Sequence, residues 1–416
     1  MMTNKSTERT FAKDRAVFNN TRISGLNNND LIIGVSGCGK TGGYVLHNIL
    51  GSDDTSMVVA DTKSQLSRLL TPTLKERGYK VKVVDFIDPE KSDGYNPLSF
   101  IRKNKNGSYN QQDILSVATT LIPPDDSDDP FWTNSARVVV TCAISYVLEA
   151  IDACDKNLWS VLKVCNSIAS AVDYENKCYD IHFLEKWGST HPDSYAYSKY
   201  LSFKGTLAAE KTWGCICQFV TAALAPLEID GLKHMFTCKN AVNIGSIGEE
   251  KTVVFLNISD TDRCLDKLAN LFYTQLFQRL CFVADNNPGG RLKVPVRVFL
   301  DDFATNTRIE GFEKLISVIR SREISVSIIL QSLTQLETIY THPQAMTIVN
   351  NCDHILSMGG SDYQTAQFLA NRMGRSPESV LTLPQNEVIF IERGKKGEQC
   401  KRLEPYACLG NDEIVK

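Results

Sequence analysis

Apolar positions along the chain fall into two regimes. Before about residue 100 and after about residue 250, short runs of β-branched and aromatic residues alternate with stretches of helical spacing, the pattern of a parallel sheet covered by helices. Strands are expected at Leu31-Ile32-Ile33, Met57 to Asp61 and Tyr79 to Phe86 in the first stretch. In the second they are expected at Thr252 to Leu256, Val296 to Leu300, Val326 to Leu330, His354 to Met358 and Val388 to Ile391. Ser64 to Arg77 reads as a helix disturbed by Pro72, and Asp266 to Val283 as an uninterrupted one. Asn96-Pro97 and the polar tract Arg102 to Gln112 mark a boundary, and from about Asp113 to about Leu232 the spacing is helical. Candidate helices there are Thr133 to Ala150, Leu158 to Val172 and Thr206 to Leu224. The expected architecture is a short segment, 1–28, then an α/β domain in two parts, 29–106 and 236–416, with a mainly parallel sheet and an all-α insertion over 107–235.

The most informative residues lie between the first strand and the helix begun by Tyr44-Val45-Leu46 and closed by Gly51. Gly34-Val35-Ser36-Gly37-Cys38-Gly39-Lys40-Thr41 fits G-x-x-x-x-G-K-[ST], a loop that cradles the phosphates of a nucleoside triphosphate. Glycines let successive N–H groups turn inward, so Gly34, Ser36, Gly37, Cys38 and Gly39 form the cradle. Lys40 neutralises the outer phosphates and the Thr41 hydroxyl ligates magnesium. The following helix start adds unpaired amides and a favourable dipole. Cys38 there is either redox sensitive, being near a helix N-terminus, or simply a tolerated small residue.

The run Val296 to Leu300 delivers two carboxylates, Asp301 and Asp302, at the strand end where open α/β sheets place ligands. Alone, such a pair is more often a turn or helix cap. With a phosphate loop upstream it reads as a metal-supporting Asp301 and a general base, Asp302, for the attacking water. Gln331, after the next strand, either contacts the γ-phosphate or begins a helix. One of Arg320 and Arg322 is either an arginine finger inserted into a neighbouring subunit's site or a member of a surface salt bridge.

The 416 residues are 43% hydrophobic, enough for two or three domains with full cores. A net charge of −3 means that any nucleic-acid contact must be local. Two basic clusters, Arg102 with Lys103 and Lys105, and Arg393 with Lys395 and Lys396, are candidates, although solvated turns explain them as well. The acidic tract Asp125-Asp126-Ser127-Asp128-Asp129-Pro130 reads as a solvated helix entry rather than a partner-binding loop. Thirteen scattered cysteines, with one C-x-C at Cys215 and Cys217 and no paired C-x-x-C, suit reduced thiols. The longest apolar run, Val138 to Ile151, falls short of a membrane span, and the polar stretch Met1 to Asn20 lacks a signal core, so a cytoplasmic location is expected.

Several segments together resemble the type IV secretion coupling proteins, the conjugative DNA-transfer ATPases. They are GVSGCGKT at Gly34 to Thr41, VVADTK at Val58 to Lys63, DGYNPLSFI at Asp93 to Ile101 and DPFW at Asp129 to Trp132. To these add VFLDDFA at Val298 to Ala304 and IRSREISVSIILQSLTQL at Ile319 to Leu336, the most specific of the set. The resemblance implies a RecA-like P-loop NTPase domain with an all-α insertion domain, ATP and Mg2+ as cofactors, and a ring, expected to be a hexamer. It further implies that Arg320 is the arginine finger, that Gln331 meets the end of the nucleotide, and that the partners are single-stranded DNA and a relaxase.

Two departures qualify it. The family usually has Glu where this chain has Asp302, and the phosphate loop begins after only about thirty residues, without the family's pair of membrane helices. Either a separate membrane or channel subunit anchors it at the inner face of the membrane, or it is a soluble member of the family or a fragment. A chromosome or plasmid DNA translocase remains an alternative, as does a nucleotide-binding adaptor with little turnover, which Asp302 would suit.

Overall fold

The computed structural model describes residues 8–124, 130–170, 172–173, 178–179, 181–303 and 308–409. The acidic tract 125–129 and Ala304 lie outside the described residues. Strands β1 (Glu8–Ala12) and β2 (Arg15–Phe18) form an antiparallel hairpin. They are followed by β3 (Asp30–Ile33), β4 (Ser56–Asp61) and β5 (Lys80–Asp85). A two-residue pair, β6 (Val172–Asp173) and β7 (Cys178–Tyr179), lies within the helical stretch. The remaining strands are β8 (Thr252–Asn257), β9 (Val296–Leu300), β10 (Ile324–Leu330), β11 (His354–Ser357), β12 (Glu387–Glu392) and β13 (Glu398–Lys401).

Nine of them form one sheet in the order β13-β12-β11-β3-β10-β9-β4-β8-β5. From β11 to β8 every described pairing is parallel, and β12 and β13 add antiparallel to the edge. The central strands β3, β4, β8 and β9 are buried at every residue, as helix-covered parallel strands must be, which is why they read as unbroken apolar runs. All the strands expected from the apolar pattern are present, with ends within two residues. This is the mainly parallel α/β sheet expected from the alternation of elements.

The chain divides into two compact units. The first comprises 1–83, 243–263 and 276–416 and holds the sheet apart from the last two residues of β5; the second comprises 84–242 and 264–275. Within the second unit the helix Phe131–Ala150 buries Val140, Ile144 and Val147 among the helices Leu158–Ser170, Tyr195–Lys204 and Glu210–Leu224. The Asp93-Gly94-Tyr95-Asn96-Pro97 segment is structural here. A Cβ on Gly94 would fall 2.6 Å from the Cys238 carbonyl, and the buried Tyr95 hydroxyl donates to Gln275 at 2.8 Å, whose amide in turn donates to the Pro97 carbonyl. Asn96 accepts from the Leu98 N–H and caps the short helix Pro97–Phe100. Among the described residues no single helix is long and apolar enough to cross a membrane.

The first 28 residues, expected as an unassigned segment, contain the β1–β2 hairpin, and the hairpin is part of the core. Phe11 is buried against Tyr44 and Phe390, with ring centroids 5.5 and 5.1 Å away, and Asn48 exchanges two 2.9 Å hydrogen bonds with the Thr10 backbone. Arg9, buried, donates to both carboxylate oxygens of Asp30 at 2.8 and 3.0 Å. The same carboxylate accepts from Arg297 at 2.8 Å and from the Tyr44 hydroxyl at 2.7 Å, and the His354 ring lies 3.3 Å away. Burial works to raise the Asp30 carboxyl, but the Arg9 and Arg297 charges outweigh it and hold the group well below the usual carboxylate range. Burial pushes the Tyr44 phenol up, so it stays a donor.

Removing one partner from such a network leaves the others buried and uncompensated. Asp30→Ala is expected to cost about 3–5 kcal/mol in chemical denaturation. Because the folded carboxyl titrates below its unfolded value, its contribution is complete above about pH 4 and is lost as pH falls through the folded value. The variant should therefore lose stability less steeply than the parent below pH 4.

Candidate nucleotide site

Strand register brings the phosphate loop, Gln331, Asp301 and Asp302 to the same end of neighbouring strands. Gly34 donates its N–H to the Leu330 carbonyl at 3.1 Å and Met358 donates to the Ile33 carbonyl at 2.8 Å, so Gly34 and Gln331 leave β3 and β10 side by side. Strand β9 pairs with the other side of β10, and Asp301 and Asp302 follow it. The phosphate loop and the acidic pair are thus separated by a single strand.

Gly37 and Gly39 take φ of +76° and +82°, the left-handed conformations that give the loop its inward turn. Lys40 is nearly buried, and its ammonium donates to the Gly34 carbonyl at 2.6 Å and the Val35 carbonyl at 3.1 Å, folding back across the loop. The Thr41 hydroxyl donates to Asp301 Oδ2 at 2.6 Å. A hydroxyl and a carboxylate in contact beside a phosphate cradle are the hard oxygen donors that magnesium takes, so this pair fits the ion. Burial, with a smaller push from Asp302, raises the Asp301 carboxyl to about 6 against the opposing Thr41 hydrogen bond. Asp302 has φ +50° and donates its N–H to Asp301 Oδ1 at 3.2 Å. Aspartate enters the left-handed region more readily than glutamate, which gives a backbone reason for the shorter acid here.

Gln331 is exposed, and its N–H donates to Gln335 Oε1 at 3.0 Å just ahead of the helix Leu333–Glu337, which Ser332 caps. It stands both at the strand end beside Gly34 and before a helix, so the two readings coexist. Arg320 sits at the other end of β10, in the turn Ile319–Arg322, and donates to the Thr21 carbonyl at 3.3 Å. It lines a cleft with Asn19, Arg22, Arg297 and Glu323. Seven residues of β10 separate it from Gln331, roughly 23 Å of strand, beyond the reach of a side chain. Arg322 is held by two hydrogen bonds to Asp285, at 2.8 and 3.1 Å, which is the salt-bridge alternative.

Of the basic candidates, Arg102, Lys103, Arg393 and Lys395 have ordinary partners. Arg102 is paired with Asp113 at 2.6 Å, Lys103 lies over the Tyr109 ring, Arg393 lies 3.1 Å from Asp353 and Lys395 pairs with Glu392 at 2.8 Å. Burial pushes the Cys38 thiol up and keeps it protonated, the state of a space-filling residue.

One part of the site was not anticipated. After β13, residues 402–409 form a strap along the phosphate loop and its helix, ending at Leu409 in the core. Tyr406 donates its N–H to the Gly42 carbonyl at 3.2 Å, and its ring lies 2.8–3.0 Å from where a Cβ on Gly42 would stand. The loop helix accommodates this with a π-helical turn, Thr41–Val45, before the α-helix Leu46–Leu50. Gly42-Gly43, two helix-weakening residues in a first turn, were the available signal.

A family model described as Type IV secretory system Conjugative DNA transfer matches residues 4–378. No curated relative matches the chain. Among solved structures, the plasmid coupling protein TrwB in complex with ADP and Mg2+ is 17% identical over 91% of this chain and 85% of its own, with a TM-score of 0.65. The bacterial conjugative coupling protein TrwBdeltaN70 is 16% identical over 90% and 84%, with a TM-score of 0.64. VirB4 of Thermoanaerobacter pseudethanolicus is 12% identical over 99% and 98%, with a TM-score of 0.57. These likenesses establish the P-loop NTPase fold with its all-α part.

The strap makes a prediction of sign. Helix propensity alone would have Gly42→Ala stabilise by about 1 kcal/mol, whereas overpacking against the Tyr406 ring costs about 1–3 kcal/mol. Denaturation should show a net loss, turning to a gain when Gly42→Ala is made in a Tyr406→Ala background.

Proposed function

This chain belongs to the type IV secretory system conjugative DNA transfer family, and on that premise we propose that it is a magnesium-dependent ATPase that works as a ring motor. Its turnover drives DNA, or a DNA–relaxase complex, towards a secretion channel, with a membrane or channel subunit as anchor. The observation that carries this reading is the placement of Arg320 at the opposite end of β10 from Lys40, Thr41, Asp301 and Gln331. An arginine that distant cannot serve its own loop, and it supports a site completed by a neighbour in a ring, with six subunits as the proposed number.

In this reading Lys40 exchanges its two carbonyl partners for the outer phosphates, and the cradle N–H groups hold the rest of the triphosphate. Thr41 and Asp301 would hold magnesium, which would supply charge neutralisation at the phosphates. Asp302 takes the proton of the attacking water and Gln331 orients that water at the γ-phosphate end. Arg320 of one subunit neutralises charge that develops in the next subunit's site.

Asp302 favours a second reading. Its short side chain and left-handed backbone suit a nucleotide-dependent adaptor whose binding state, not turnover, recruits the transferred substrate.

Lys40→Ala is expected to abolish ATP binding. Arg320→Ala is expected to keep ATP binding while lowering turnover of the assembled ring by about 10^3-fold or more. Wild-type turnover by an assembled Arg320→Ala ring would remove the trans assignment. Steady-state ATPase assays with and without single-stranded DNA separate motor from adaptor, since no turnover under any DNA or salt condition selects the adaptor.

A further inference from the structure

The strap brings a cation to the phosphate loop that the loop's own motif does not contain. Arg402 is the first residue after β13, and its Nη2 lies 2.6 Å from where a Cβ on Gly39 would stand. The guanidinium therefore rests on the loop backbone one residue before Lys40. Its position is fixed from several sides. The Arg402 N–H donates to the Asn386 carbonyl at 2.9 Å and Nη1 donates to the Gln385 carbonyl at 3.1 Å. Lys13 donates its N–H to the Lys401 carbonyl at 3.0 Å and its ammonium to Glu404 at 2.9 Å, holding the strap on both sides of Arg402. Pro405 fills the remaining space over Gly39, 2.8 Å from the same Cβ position.

What this fixed guanidinium lacks is an acceptor for each donor. Arg402 Nε is buried and has no hydrogen-bond partner among the described residues. A buried, unmet donor on a charged group is costly, and an anion is what satisfies it. The negative charge belonging to this loop is that of a phosphate, and guanidinium is the side chain whose planar fork matches it.

We propose that Arg402 is a phosphate-binding residue of the nucleotide site, supplied in cis by the C-terminal strap and acting beside Lys40. The inference rests on the reading of Gly34 to Thr41 as a nucleoside triphosphate cradle. It adds a second contact from the same chain, distinct from the Arg320 of a neighbour.

The test measures calorimetric binding of MgATP and of inorganic tripolyphosphate to the full chain. Wild-type protein binds both, and Arg402→Gln loses about tenfold or more on both, the worth of a charge-assisted hydrogen bond. Arg402→Lys, which keeps the charge without the fork, falls between the two. Arg402→Met keeps the apolar stem against Pro405 and serves in place of the glutamine variant should that fail to fold. Wild-type affinity in a folded Arg402→Gln or Arg402→Met overturns the proposal. So does equal loss in the lysine and charge-free variants, which marks a packing role. If the wild type binds neither ligand, the cradle reading itself fails, an outcome separate from a wild type that binds and a variant that binds equally well.

Discussion

One buried carboxylate organises the first unit. Asp30 opens the strand that ends in the phosphate loop, and its two oxygens take donors from the hairpin through Arg9, from β9 through Arg297, and from the loop helix through Tyr44. Arg297 also donates to Ser327 on β10 and His354 of β11 lies beside the carboxylate, so five strands and a helix meet around a single charge. A carboxylate left in that position without its arginines would be untenable at 0% exposure. The arrangement fixes register as well as stability, because sliding β3 by one residue would turn Asp30 away from its partners and move Gly34 from the side of Leu330.

Positional precision is what the opposite edge of the sheet requires. The loop, Asp301 and Gln331 each come from a different strand end, and only their common register sets Thr41 within hydrogen-bonding distance of Asp301. The side chains that could be read from residue type alone, Lys40 and Thr41, are held by geometry built elsewhere. That division between a rigid base and a reactive rim is general for open α/β sheets.

The strands and the loop were legible because each is a local pattern: an apolar run of β-formers, or eight residues with fixed glycines. The hairpin was not, since Glu8 to Phe18 shows only Phe11, Ala12, Ala16, Val17 and Phe18 as apolar residues, and its decisive residue, Arg9, looks like any solvated base. What makes Arg9 structural is Asp30, 21 positions away, and Arg297 much farther along. The strap escaped for the same reason. Arg402-Leu403-Glu404-Pro405-Tyr406 has the composition of a tail, and only contact with Gly39 and Gly42 gives it meaning. The salt bridge of Arg322 likewise depends on Asp285, a partner on a different helix that the sequence does not place beside it.

The core that contains Phe11 and Tyr44 also contains Leu409. A core closed by residues so far apart in sequence has many contacts between distant positions and is expected to fold slowly. During synthesis, which proceeds from the N-terminus, the phosphate loop is made well before the strap and waits for these neighbours until the strap emerges from the ribosome. Nascent chains would therefore present an unfinished phosphate cradle until the strap is made, and the loop acquires these surroundings late.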